Sequence, residues 1–66
     1  MLEKYPDVLT IKDFCQILQI SRKTAYRLLK ENPEIRYRKI GKSYRISKID
    51  LILYLRNELE REQMFE

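Results

Sequence analysis

Ser21-Arg-Lys-Thr-Ala-Tyr-Arg-Leu-Leu-Lys-Glu31 is the stretch on which the reading of this chain turns. Ser21 is a strong helix N-cap, because its hydroxyl can accept a bond from an otherwise unpaired backbone N–H. At about 100° per residue, Ala25, Leu28 and Leu29 fall on one side and Lys23, Tyr26, Arg27 and Lys30 on the other. One face can pack, and the opposite face carries three cations and an aromatic hydroxyl. Such a helix can lie in a DNA groove. Taken alone, the pattern fits a solvated surface helix equally well, so the flanking sequence decides.

Before this stretch, Thr10 is followed three residues on by Asp13, an approximate capping box. A helix is expected over 11–18, with Ile11, Phe14, Cys15 and Leu18 on one face. Gln19-Ile20-Ser21 is then a tight link to the basic helix, expected over 22–31, which Asn32-Pro33 ends because the residue before proline avoids the α region. Val8-Leu9 reads as a short extended piece. Residues 1–7 have no period and contain Pro6, and read as a flexible lead-in.

After the basic helix, Glu34 to Ile40 and Tyr44 to Ile46 alternate around the chain's one glycine, Gly41, and suggest a hairpin. A two-residue Gly41-Lys42 turn would pair Ile40 with Ser43 and put Ile40 on the face opposite Tyr44 and Ile46. A three-residue loop, Gly41 to Ser43, gathers Ile40, Tyr44 and Ile46 on one face. The second register is the expected one, since a slip of one residue flips every side chain. It leaves Arg38 at the edge of the apolar face. Ser47 with Asp50 has capping-box spacing, and a third helix is expected over about 48–62. The expected organisation is a lead-in at 1–7, a single domain at 8–62 and a frayed tail at 63–66. Leu51, Tyr54 and Leu55 form the core face of the third helix. Ile49, Ile52, Leu53 and Leu59 widen its apolar arc and make a candidate contact surface for a partner.

Charge is segregated along the chain. The net charge is +4, yet residues 22–48 hold ten Lys and Arg against Glu31 and Glu34, a balance of +8. The segments on either side are net acidic. This distribution points to a middle that binds a polyanion. With 66 residues, the chain buries only about 60% of its unfolded surface and leaves no room for an enzyme cleft with walls and a lid. There is no histidine and one cysteine, Cys15, so the common zinc sets and an internal disulfide are out of reach. Cys15 reads as a small core hydrophobe. The longest apolar run, Leu51 to Leu55, is far too short to span a bilayer. A non-enzymatic, cytoplasmic protein without cofactor or metal is expected.

A basic helix braced by a preceding helix and followed by a hairpin is the order of a winged helix-turn-helix, mainly α with a small β-hairpin. Leu9 to Lys30, followed by Lys39-Ile-Gly-Lys-Ser-Tyr-Arg-Ile46 and Asp50-Leu51, resembles the excisionase-type winged helix-turn-helix domains, distant relatives of the MerR DNA-binding domain. The resemblance covers roughly residues 8–56. It implies a recognition helix at 22–30 whose Arg22, Lys23, Tyr26 and Arg27 meet DNA, with Lys42 and Arg45 reaching phosphates from the wing. The chain departs from the family after the recognition helix, where a short glycine-containing link is usual and Glu31-Asn-Pro-Glu-Ile-Arg-Tyr37 stands instead.

The side-chain chemistry fits this assignment. Arginine can bond bidentately to guanine edges, and lysine meets phosphate as a point charge. Arg27 and Lys23 are the base-reading candidates; Arg22, Tyr26 and Lys30 suit phosphate. Arg36, Arg38 and Lys39 fit solvent exposure or ion pairs to Glu31 and Glu34 as well as DNA contact. Tyr37 and Tyr44 fit sheet packing better than base stacking. The implied function is sequence-specific binding and bending of double-stranded DNA to assist an integrase, with copies side by side. A small MerR-like transcriptional regulator is the alternative within that class, and an interaction adaptor working through the apolar face of the third helix is the alternative outside it.

Overall fold

The computed structural model describes residues 2–64, with side chains as far as residue 60. The elements are β1 (Val8–Leu9), α1 (Ile11–Leu18), α2 (Arg22–Glu31), β2 (Tyr37–Ile40), β3 (Ser43–Ser47) and α3 (Lys48–Met64). The strands form one antiparallel sheet in the order β1-β3-β2. Three helices and this small sheet make a winged helix-turn-helix, with β2 and β3 as the wing.

Both short helices occupy the spans the sequence indicates, because their caps are built into it. The Thr10 hydroxyl accepts from the Asp13 N–H at 3.1 Å, and Asp13 accepts from the Thr10 N–H at 3.2 Å. The turn between the helices needs one left-handed residue. Gln19 takes it at φ 56°, and the Ile20 N–H then closes on the Cys15 carbonyl at 3.1 Å. Leu9, Phe14, Ala25, Leu29, Ile35, Ile46 and Leu51 are buried. One or more residues from each of five elements, with Ile35 from the α2–β2 link, thus close a single core. Ile11, Cys15, Leu18, Leu28, Tyr54 and Leu55 pack around it.

The wing corrects the expected register. Ile40 pairs with Ser43, Lys39 with Tyr44, Arg38 with Arg45 and Tyr37 with Ile46, so the turn is the two-residue Gly41-Lys42. Gly41 has φ 62°, and Lys42 is not among the residues of positive φ, the pattern of a type II′ turn that suits the twist of a hairpin. The consequence is that Tyr37, Lys39, Tyr44 and Ile46 share the inner face, while Arg38, Ile40, Ser43 and Arg45 share the outer one. Ile40 is 56% exposed. The apolar pattern misled because the inner face is filled by tyrosine as well as isoleucine. Arg38 escapes the core in the observed register.

α3 also departs in detail. The Ser47 hydroxyl accepts from the Asp50 N–H at 3.3 Å, but Asp50 does not complete the capping box. Its carboxylate turns to Arg36, accepting from the backbone N–H at 3.0 Å, from Nε at 2.8 Å and from a terminal guanidinium nitrogen at 3.3 Å. The Ser47 N–H bonds the Arg36 carbonyl instead. α3 runs to Met64, past the expected end at 62; Phe65 and Glu66, the end of the expected frayed tail, lie outside the described residues. In the lead-in, Leu2 and Tyr5 rest on the core. Lys48 Nζ donates to the Tyr5 carbonyl at 2.9 Å and the Leu2 carbonyl at 3.5 Å. Among the described residues no helix is long and apolar enough to cross a membrane.

Candidate nucleic-acid interface

The basic helix starts at Ser21, whose hydroxyl accepts from the Thr24 N–H at 3.3 Å. Its first turn holds no acid and opens with Arg22 and Lys23. Cations there oppose the positive end of the helix dipole. The same geometry, N–H groups and cations pointing out of a helix start, suits an incoming phosphate. A local cost placed where an anion would relieve it is a functional signal of a kind that core residues do not give.

The helix ends without the glycine usual in the resembling family. Asn32 takes φ −125° rather than a left-handed value. Both its backbone N–H (3.0 Å) and its side-chain amide (2.8 Å) donate to the Leu28 carbonyl. The chain then turns, with the Ile35 N–H on the Asn32 carbonyl at 3.0 Å. Ile35 is buried, and Asp50 clamps Arg36. The start of the wing is therefore held by a core residue and an ion pair, which replace the missing glycine. Arg36 holds the Asp50 carboxyl below its usual range, chiefly by the side-chain hydrogen bond, against the opposing effect of burial.

The seven residues indicated by the sequence divide into two groups. Arg22, Tyr26, Lys42 and Arg45 line one groove of about 350 Å³ between the starts of α1 and α2 and the wing. Lys23, Arg27 and Lys30 are exposed on the same helix but do not line that groove. They continue the basic surface along α2. Arg27 pairs with Glu31 at 3.9 Å, both side chains largely exposed. An exposed pair of this kind is worth little and would yield to a phosphate.

Tyr26 is half-buried, and its ring partner is on the wing: Tyr44, at 5.0 Å between centroids. Tyr44 in turn stacks on Tyr37 at 5.6 Å, with Lys39 Nζ 6.0 Å from the Tyr44 ring. Three tyrosines thus tie α2 to the inner face of the wing.

Sequence reasoning missed Lys12, which lines the same groove from the first turn of α1. Its signal was its place two residues after the Thr10 cap. Besides Arg27, two cations counted in the basic middle have partners within the chain: Arg36 with Asp50, and Lys48 with the lead-in and with Asp7 at 3.7 Å. On α3, Ile49, Leu53 and Leu59 are exposed, and Ile52 is half-buried. Among the described residues no group of His, Cys, Asp and Glu is placed to hold a metal ion.

A family model described as a helix-turn-helix domain matches residues 8–58. No curated protein and no solved structure gives a match.

Proposed function

The chain belongs to the helix-turn-helix domain family, whose fold supports DNA binding, and from that premise we propose that it binds double-stranded DNA sequence-specifically through α2 and the wing. α2 enters the major groove with Lys23 and Arg27 at base edges. Arg22, Tyr26, Lys30, Lys42 and Arg45 hold backbone phosphates and set the register of the helix in the groove. The observation that carries this reading is the groove between the helix starts and the wing, which gathers Arg22, Lys42 and Arg45 with Lys12 and has no acid in its lining.

The finer role rests on the resemblance to excisionase-type domains. The protein binds near the end of a mobile element, with copies side by side, bends the DNA, and so helps an integrase assemble the excision complex. This is binding and deformation rather than catalysis. The test is an excision reaction with the integrase of the same element, run with and without the protein. Stimulation that is lost in Lys23→Ala/Arg27→Ala supports the role. DNA binding with no effect on excision, together with a change in transcription from a promoter overlapping the site, supports a MerR-like regulator instead. Exposed Ile49, Leu53 and Leu59 favour a protein contact on α3 in addition, with the integrase or a second copy as candidates. An adaptor acting through α3 alone would bind no DNA at low salt.

A further inference from the structure

Arg38 and Arg45 sit directly opposite one another on β2 and β3, on the sheet face turned away from the core. Like charges across a ladder repel. Such a pair is ordinarily relieved by a nearby acid; Asp50 and Asp7, in the adjoining segments, are engaged elsewhere, with Arg36 and Lys48. Among the described residues neither Arg38 nor Arg45 has an acidic partner. Both are exposed, and they line a groove of about 330 Å³ together with Val8 and Ser47. Arg36 borders it too, its side chain 78% exposed although Asp50 fixes it.

Arg45 also lines the groove between the helix starts and the wing. The two grooves therefore share Arg45 as a bordering residue, and a phosphate chain leaving the first can pass onto the outer sheet face. The Arg38 and Arg45 guanidiniums, without an acidic partner, suit successive phosphates of a nucleic-acid backbone, since arginine binds phosphate bidentately. Arg36, which already gives Nε and a terminal nitrogen to Asp50, adds charge beside them.

We propose that the outer sheet face, through Arg38 and Arg45 with Arg36 beside them, is a second phosphate-binding subsite that takes the backbone of DNA flanking the segment read by α2. This rests on the DNA-binding reading above, which uses Arg45 alone of these three residues, and extends its footprint to Arg38 and Arg36. Relief of the Arg38–Arg45 repulsion by the bound phosphate adds to the gain on binding.

The test uses two duplexes carrying the same site, selected from random sequence by the full chain: one about a single helical turn long, the other extended by about one turn on each side. Salt dependence of the binding constant is measured for the wild type, Arg38→Ala, Arg38→Lys and Arg38→Glu. On the long duplex, Arg38→Ala should reduce the slope of log K against log salt by about 0.9, the value of one phosphate contact. Arg38→Lys should restore most of that slope, and Arg38→Glu should weaken binding further. On the short duplex Arg38→Ala should match the wild type. Its thermal midpoint should be unchanged or raised, because it removes a repulsion. Equal losses on both duplexes, or no loss on either, would overturn the proposal. So would an acidic peptide that binds this face while duplex length has no effect. A wild type that binds neither duplex overturns the DNA-binding reading itself, a result distinct from the others.

Discussion

The Tyr26 ring on α2 lies 5.0 Å from the Tyr44 ring on β3, tilted by 50°, so the helix with the basic face and the wing are packed against each other rather than merely adjacent. The hairpin is also tied to the body by the pairing of β3 with β1 and by Ile46, which is buried in the core. Its orientation relative to α2 depends on this contact and on the Arg36–Asp50 clamp.

Replacing Tyr44 by alanine should therefore affect two properties together. An aromatic pair contributes about 0.5–1.5 kcal/mol beyond its area, and Tyr44 makes two. Tyr44→Ala should cost about 2 kcal/mol in urea unfolding and weaken DNA binding although residue 44 need not touch DNA. Tyr44→Phe keeps the rings and should lose little of either. Full DNA affinity in Tyr44→Ala would show that the wing is aligned by other means.

Asp50 confers a pH dependence whose sign is fixed by its partner. Its carboxyl titrates below the ordinary value of 3.8 in the folded protein, first because of the Arg36 side-chain hydrogen bond. A depressed native value means that its contribution is fully present above about pH 4 and is lost as pH falls through the lower, native value. Stability should drop across that acid range in the wild type. Asp50→Asn should be less stable at pH 7, by about 1–2 kcal/mol once solvent screening of the exposed Arg36 is allowed for, and its stability should change less below pH 4. A parallel pH profile for the two proteins would remove the clamp from the account.

The two tight turns make opposite predictions. Gln19 is held at φ 56°, a region that costs a side-chain-bearing residue about 1–2 kcal/mol, so Gln19→Gly should raise stability by roughly 0.5–1 kcal/mol after the extra freedom of the unfolded chain is counted. Gly41 stands at φ 62° with nothing within 4 Å of an added Cβ. Gly41→Ala should lose about 1 kcal/mol through backbone conformation alone. Thermal or urea unfolding of both variants checks the pair. A gain at position 41 or a loss at position 19 would contradict the turn geometry.

The hairpin register separates two isoleucines that read alike in sequence. Ile46 is fully buried and Ile40 is 56% exposed. Ile46→Ala should cost about 2–5 kcal/mol, enough to unfold much of so small a domain, and Ile40→Thr should stay within about 0.5 kcal/mol of wild type. The expected three-residue loop would make both costly.

The residues that were legible in advance carry their own local chemistry. Thr10, Asp13 and Ser21 mark helix starts because each oxygen finds its N–H within the same turn, and the apolar spacing of Phe14, Ala25 and Leu29 marks the buried sides of the helices. The face of α2 was legible for the same reason. What stayed hidden depends on contacts distant in the chain. Leu9 and Ile35 enter the core although neither lies in a long periodic segment. The register turned on Tyr37 and Tyr44 filling the inner face, which only the position of Tyr26 explains. Asp50 had the spacing of a cap but serves a residue fourteen positions earlier. Lys12 joins the groove because the first turn of α1 faces the wing.

In the proposed complex the groove between the helix starts and the wing, continued along α2, holds DNA by its phosphates. The most direct test is the binding constant for duplex DNA measured across a salt series, for the wild type and for Arg22→Ala and Lys42→Ala. With about six phosphates held, log K should fall against log salt with a slope of about −5, and each variant should reduce that slope by about 0.9. No affinity at low salt, or slopes unchanged by both substitutions, would contradict the account.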